Sequence, residues 1–303
     1  MGVLRDILVV VDPTADTQPA VERAAGIAAR AGARLELFIC EYDQFVAPDD
    51  KAKQSLIANE EARLRRMAEP LTARGLQVAT DVRWDRPLDE GVIRKVADAA
   101  PTLVVKDTHH HSLPKRTLLS NTDWELIRRC PAPLLLVKDR PIREQPRIVA
   151  AVDPLRGHDQ PDELDRRILA VAETLCAGLG GELHAVHVLD PAPAAASMAV
   201  VAAPEAPGAI IPPHQEALED LERRHSDAFA RLLSGTSVAP RHAHVARGAA
   251  ADELLAAARE LDADFVVMGA VSRNRLKRVL IGHTAERVLD RLTCDLVVVK
   301  LDE

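Results

Sequence analysis

Short, unbroken apolar runs alternate along this chain with segments whose apolar residues recur every three to four positions. The first run is Ile7-Leu-Val-Val-Val-Asp12, and a segment apolar on both faces reads as a strand buried in a parallel sheet. Behind it, Ala20, Val21, Ala24, Ala25, Ile27 and Ala28 form one helical stripe, stopped by Gly32. The pattern then predicts strand 35–40, helix 49–74 ended or kinked at Pro70, strand 76–84, helix 88–99, strand 103–106, helix 121–129 and strand 134–138. The same order returns further on: strand 148–152, helix 163–177, strand 182–188, helix 215–233, strand 238–246, helix 251–261, strand 265–268, helix 283–292 and strand 296–300. Strands and helices alternating in this way predict α/β halves, each with a parallel, doubly wound five-stranded sheet and right-handed crossovers.

The repetition extends to individual residues. Residues 103–138 align without a gap on 265–300, at a constant offset of 300 − 138 = 162. Thr122 meets Thr284, Lys115-Arg116 meets Lys277-Arg278, and Leu134-Leu-Leu-Val-Lys138 meets Leu296-Val-Val-Val-Lys300. At the other end of each half, Ile7 to Pro13 matches Ile148 to Pro154. Two domains follow, 1–140 and 146–303, joined by a charged linker that holds Pro141 and Pro146. Each closing strand would leave an open sheet edge if it stood alone, so the two are expected to pair about an approximate two-fold axis.

Composition narrows the function. With 47% apolar and only 2% aromatic residues, the cores are aliphatic and offer no stacking surface for nucleic acid. A net charge of −7 argues further against DNA, RNA or an anionic membrane as partner. No apolar stretch approaches the roughly 18 residues of a membrane span, and the start of the chain lacks a signal-peptide profile, so a cytoplasmic location without membrane insertion is expected. Cys40, Cys130, Cys176 and Cys294 lie far apart and read as reduced, partly buried thiols. Residues 190–213 contain six prolines among Met198, Val200, Val201, Ile210 and Ile211. They read as a long loop packed on its own domain or as a flap over an apolar pocket.

In an open parallel sheet, ligands bind beyond the carboxyl ends of the strands, where strand order reverses. The loops there begin at Asp12, Asp107, Asp153 and Gly269. In the second half, a glycine ending the fourth strand, the basic loop of Arg273, Arg275, Lys277 and Arg278, and Gly282 at the next helix start form a phosphate cradle. His109-His-His111 in a first-half loop falls short of the three or four ligands of a metal site; His184 and His187 on a core strand read as structural. His242 and His244 share a strand face, and no metal site is expected among these histidines. No spacing suggests a nucleophile–base pair, a Walker loop or a dinucleotide fingerprint.

These residues resemble the universal stress proteins, in their tandem two-domain, UspE-like type. The resemblance spans nearly the whole chain. It rests on both strand-ending aspartates, the Trp84-Asp-Arg-Pro87 turn, Thr122-Asp-Trp124, the Gly269–Gly282 loop and both closing strands. It implies a Rossmann-like fold of the adenine nucleotide alpha hydrolase kind and two domains packed as a pseudo-dimer. ATP-binding members carry Gly-x2-Gly-x9-Gly-(Ser/Thr) and an aspartate that contacts adenine. On that pattern Asp153, Gly269 and Gly282 match; Ser272 replaces the second glycine, and His283 replaces the hydroxyl residue, with Thr284 one place later. In the first half Asp107, His110 and Ser120 stand at the three glycine positions, and a carboxylate there repels phosphate. The ligand site is therefore expected at Asp153, Gly269, Ser272, Arg273, Gly282, His283 and Thr284, with ATP as candidate cofactor in the second half only. The implied function is binding and sensing of a small molecule, acting through partner contacts rather than catalysis, with a homodimer left open. Two alternatives remain: an ATP-dependent switch or weak ATPase using the same loop, and a carrier of an apolar or nucleotide-linked ligand under 190–213.

Overall fold

The computed structural model describes residues 2–15, 17–41, 50–108, 121–155, 161–190, 215–270, 287–289 and 291–301. The first half runs β1 (Asp6–Val10), α1 (Pro19–Ala31), β2 (Arg34–Glu41), α2 (Asp50–Ala73), β3 (Val78–Trp84), α3 (Leu88–Ala99), β4 (Leu103–Asp107), α4 (Asn121–Arg129) and β5 (Leu134–Val137). The second half holds β6 (Arg147–Val152), α5 (Pro161–Leu179), β7 (Glu182–Leu189), α6 (Gln215–Leu233), β8 (Ala243–Arg247), α7 (Ala250–Glu260), β9 (Phe265–Gly269) and β10 (Asp295–Val299). Every predicted strand is present. The apolar runs are strands because only a fully covered parallel sheet buries both faces: β4, β5 and β10 are buried at every position.

Two boundaries differ from expectation for a backbone reason. The strand predicted over 238–246 begins only at Ala243, because Pro240 opens a short 3-10 helix, Pro240–His242, and proline has no N–H to give a ladder. Pro70, expected to end or kink α2, lies inside it; the helix continues to Ala73. At that position a single ladder bond is lost close to the helix end.

Among the described residues the strands form one ten-stranded sheet in the order β3-β2-β1-β4-β5-β10-β9-β6-β7-β8. Neighbours within each half are parallel, and the one junction between halves, β5 with β10, is antiparallel. There Leu136 faces Leu296, Leu135 faces Val297 and Leu134 faces Val298. Since 135 and 297 are equivalent under the offset of 162, the register puts a pseudo-two-fold axis between them. Helices cover both faces. On one face α1 and α5 pack together across the junction, and Gly178 allows it: a Cβ there would stand 3.2 Å from Ala31 Cβ and Leu4 Cδ1. The residues of the linker are anchored too, as Arg140 and Arg143 pair with Asp262, and Arg143 with Asp264 at 2.9 Å.

Candidate functional site

Strand order reverses between β1 and β4 in the first half and between β6 and β9 in the second. In a doubly wound sheet these are the crevices available to a ligand. Asp12 and Asp107 flank the first; Asp153 and Gly269 flank the second, because Ala151 lies opposite Met268 in the β6–β9 register.

The two crevices are built differently. In the first, Asp107 is buried, and its Oδ1 accepts the Ala20 backbone N–H at 2.6 Å in the opening turn of α1. That carboxylate satisfies one of the donors a helix start leaves free and sits at the positive end of the helix dipole. Asp12 Oδ1 accepts from both the N–H and the hydroxyl of Thr14, at 2.7 Å each, closing its own turn. Arg63 of α2 then holds the same loop by its carbonyls, donating to Pro13 O and, at 3.1 Å, to Ala15 O. Behind β4, the buried Lys106 meets the fully buried Asp123 at 2.7 Å. The aligned pair in the second half is Met268 and Ala285.

The second crevice has no carboxylate at the position of Asp107. Gly269 occupies it and lies close against α5: an added Cβ would stand 2.7 Å from Leu164 Cδ2, which would have to shift. The Asp153 backbone N–H donates to Asp165 Oδ1 at 3.1 Å, which fixes the turn into α5. Beneath it lies a pair of imidazoles. His187 Nδ1 is 3.2 Å from Val152 O and its Nε2 is 2.8 Å from His225 Nδ1 of α6. A carbonyl can only accept, so neutral His187 carries its proton on Nδ1 and takes the His225 Nδ1–H on Nε2. The free lone pair of the chain then sits on His225 Nε2. Burial holds both imidazoles below their ordinary pKa, and the charge of Asp153 opposes that shift in each.

Of the residues expected at the site, the structure brings Asp153 and Gly269 together. Ser272, Arg273, Gly282, His283 and Thr284 lie outside the described residues, as do His109-His-His111 and the segment 191–214. Sequence reading missed His225 altogether and set His187 down as a core residue. His187 is indeed buried, yet its Nε2 points along the site side of α6 to a second imidazole. The alternating His184 and His187 of β7 fall on opposite sheet faces, a parity that separates the two residues. A further cavity of about 490 Å³, lined by Val3, Val96, Pro101, Pro131, Arg167 and Val171 among others, opens elsewhere, near the amino-terminal end of β4.

A tandem pair of doubly wound α/β halves, with a strand-ending aspartate at each reversal of strand order, is the class that this fold and site define. A model of the universal stress protein family matches residues 4–138 and again 146–300, and the chain belongs to that family. Universal stress protein E of Salmonella typhi is 29% identical over 311 residues, covering 100% of this chain and 96% of that protein. The Escherichia coli K12 protein of the same name is 28% identical with the same coverage. A functionally unknown protein from Pseudomonas aeruginosa PAO1 superposes with a TM-score of 0.74 at 26% identity, covering 99% of this chain and 93% of that one. A universal stress protein from Archaeoglobus fulgidus DSM 4304 shares the fold, with a TM-score of 0.68 at 17% identity over 97% of this chain and 98% of that one. Among the described residues no helix is long and apolar enough to cross a membrane.

Proposed function

We propose that this protein is a stress-response binding protein that senses or carries a small anionic ligand, a nucleotide such as ATP, at the strand-order reversal of its second half. It acts through binding and partner contacts rather than catalysis. The two units are 1–140 and 146–303, and only the second holds a ligand. Asp153 and Gly269 form the described part of the site; Ser272, Arg273, Gly282, His283 and Thr284 complete it from the following loop. The observation that carries this reading is the contrast at one aligned position. Asp107 places a buried carboxylate, engaged with Ala20 N–H, where the second half has Gly269. At this position an anion approaching the first crevice meets the Asp107 carboxylate, and one approaching the second meets the Gly269 backbone, with the Asp165 carboxylate turned to the Asp153 N–H.

Calorimetry of the full chain with ATP tests the assignment. One equivalent binds to the parent, and Asp153→Ala weakens it by about 10-fold or more, the loss of a hydrogen bond to a charged acceptor. Gly282→Val abolishes it, and Asp12→Ala leaves it unchanged. Loss of binding in Asp12→Ala with retention in Asp153→Ala overturns the assignment. Steady ATP turnover abolished by Asp153→Ala refutes the non-catalytic reading. Light scattering decides whether the chain, with or without ATP, is a homodimer.

A further inference from the structure

Four polar side chains converge at the opposite end of β7 from the crevice. Glu182 opens β7, and His184 lies two residues on, so strand alternation turns both to one side. The 3-10 turn before β8 brings His242 to them: its Nε2 is 2.9 Å from Glu182 Oε1, while His184 Nε2 is 3.4 Å from Glu182 Oε2. One ligating atom from each of Glu182, His184 and His242 lies within 4.8 Å of the others. Tetrahedral ligands held about 2.0–2.1 Å from a zinc ion stand roughly 3.4 Å apart, so this spacing needs little adjustment. His244, on β8, adds the supporting contact: its Nε2 is 3.0 Å from His184 Nδ1.

In the tautomers that suit a cation, the Nε2 atoms of His184 and His242 both act as acceptors beside Glu182. Arg241 Nε donates to His242 Nε2 at 3.1 Å, so that nitrogen is unprotonated while it also faces a carboxylate oxygen. His184 is 6% exposed, and its buried Nε2 faces Glu182 Oε2. A proton on Nδ1 shared with His244 leaves the Nε2 lone pair directed at Glu182. Two imidazole nitrogens and a carboxylate gathered around one point make a donor set that suits a cation. The positive groups at hand are Arg147, 3.6 Å from Glu182 Oε2 and donating to Leu261 O at 3.1 Å, and the exposed Arg241.

We propose that Glu182, His184 and His242 bind a divalent first-row transition cation of the zinc type, with His244 orienting His184 from behind. Two imidazoles and one carboxylate favour such an ion over magnesium or calcium, and three protein ligands leave a fourth position for water or an incoming group. The site joins the start of β7 to the turn preceding the edge strand β8. It lies roughly 20 Å from the carboxyl end of β7, at about 3.3 Å per residue, so it is separate from the Asp153 crevice.

Titration of the EDTA-treated full chain with zinc chloride, by calorimetry and thermal melting, tests this. The expected result is one equivalent bound at this site and a higher melting temperature. Glu182→Gln and His242→Ala each weaken that binding by about 100-fold, and His244→Ala by about 10–100-fold, the range for a supporting residue. Replacing His109, His110 and His111 together by Ala leaves it unchanged. Undiminished affinity in both Glu182→Gln and His242→Ala, or loss of binding only in the His109–His111 variant, overturns the proposal, as does a parent that binds no zinc. Should His242→Ala unfold, cobalt added to the parent reads the site directly. It must broaden the imidazole resonances of His184, His242 and His244 and spare that of His225; the reverse pattern overturns the proposal.

Discussion

Arg23, on α1 of the first half, closes an ion pair with Asp295, the first residue of β10 in the second half; Asp295 is buried and Arg23 partly so. The pair has no mate across the pseudo-two-fold axis, since Asp295 aligns with Pro133. Asp295 Oδ1 also accepts the Lys138 N–H at 2.9 Å, tying the end of β5 to the start of β10. Burial pushes the Asp295 carboxyl up to about 7, against the pull of Arg23. Its folded-state pKa therefore lies above the unfolded value. The stabilising contribution of its proton is complete below about pH 4 and is lost as pH rises toward 7.

From this follows a pH-dependent cost of breaking the pair. Arg23→Met removes the partner of a buried carboxylate, a change that typically costs about 3–5 kcal/mol while the carboxylate is charged. At pH 5 Asp295 holds its proton and little charge is stranded. Denaturant unfolding should show a larger loss for Arg23→Met at pH 8 than at pH 5. An equal loss at both pH values would mean that Asp295 is ionised throughout.

The junction itself predicts a packing cost. Leu135 is buried opposite Val297 at the centre of the antiparallel β5–β10 pairing. Leu135→Ala should destabilise the whole chain by about 3 kcal/mol. Because the strand pair is shared, both halves should melt in one transition. Two separated transitions in the parent, with only the first moved by the substitution, would show that the junction does not couple them.

The buried Lys106–Asp123 pair comes with its own internal control. The aligned positions of the second half carry Met268 and Ala285, an apolar pair in the sequence. Asp123→Ala alone strands the ammonium of Lys106 and should cost about 3–5 kcal/mol. Adding Lys106→Met should recover most of that loss, since the double variant copies the second half. Chemical denaturation of the two variants decides it; a double variant as unstable as the single would show that the ion pair has a local role the apolar pair cannot fill.

Periodicity made the strands legible because a doubly wound sheet demands apolar runs on both faces, as in Phe265–Met268 and Leu134–Val137. Edge strand β8 was placed least well. It is partly exposed, polar residues interrupt its run, and Pro240 displaces its start. Asp153 and Gly269 could be read from the sequence because each ends a strand at a point where order reverses. The neighbourhood of Glu182, His184 and His242 could not. His242 reaches Glu182 through a turn that follows α6, from 60 residues along the chain. No local pattern encodes such a meeting; only the β7–β8 register does.

The imidazole pair below Asp153 predicts acid sensitivity. His187 is fully buried, and both it and His225 have folded-state pKa values lowered by burial. A histidine depressed in this way contributes stability that is present above its unfolded value, near 6.5, and is lost as pH falls toward the folded value. Charging His187 Nε2 is opposed further, because the His225 Nδ1–H already points at that atom. The free Nε2 of His225 should therefore take up the first proton of the pair. Between pH 7 and 5 the parent should lose stability, and His225→Gln should flatten that loss while leaving the curve above pH 7.5 nearly parallel to the parent. Proton chemical shifts of the two rings across the same range check the order directly. If His187 titrates first, or if the variant keeps the full slope, the acid-sensitive group lies elsewhere in the molecule.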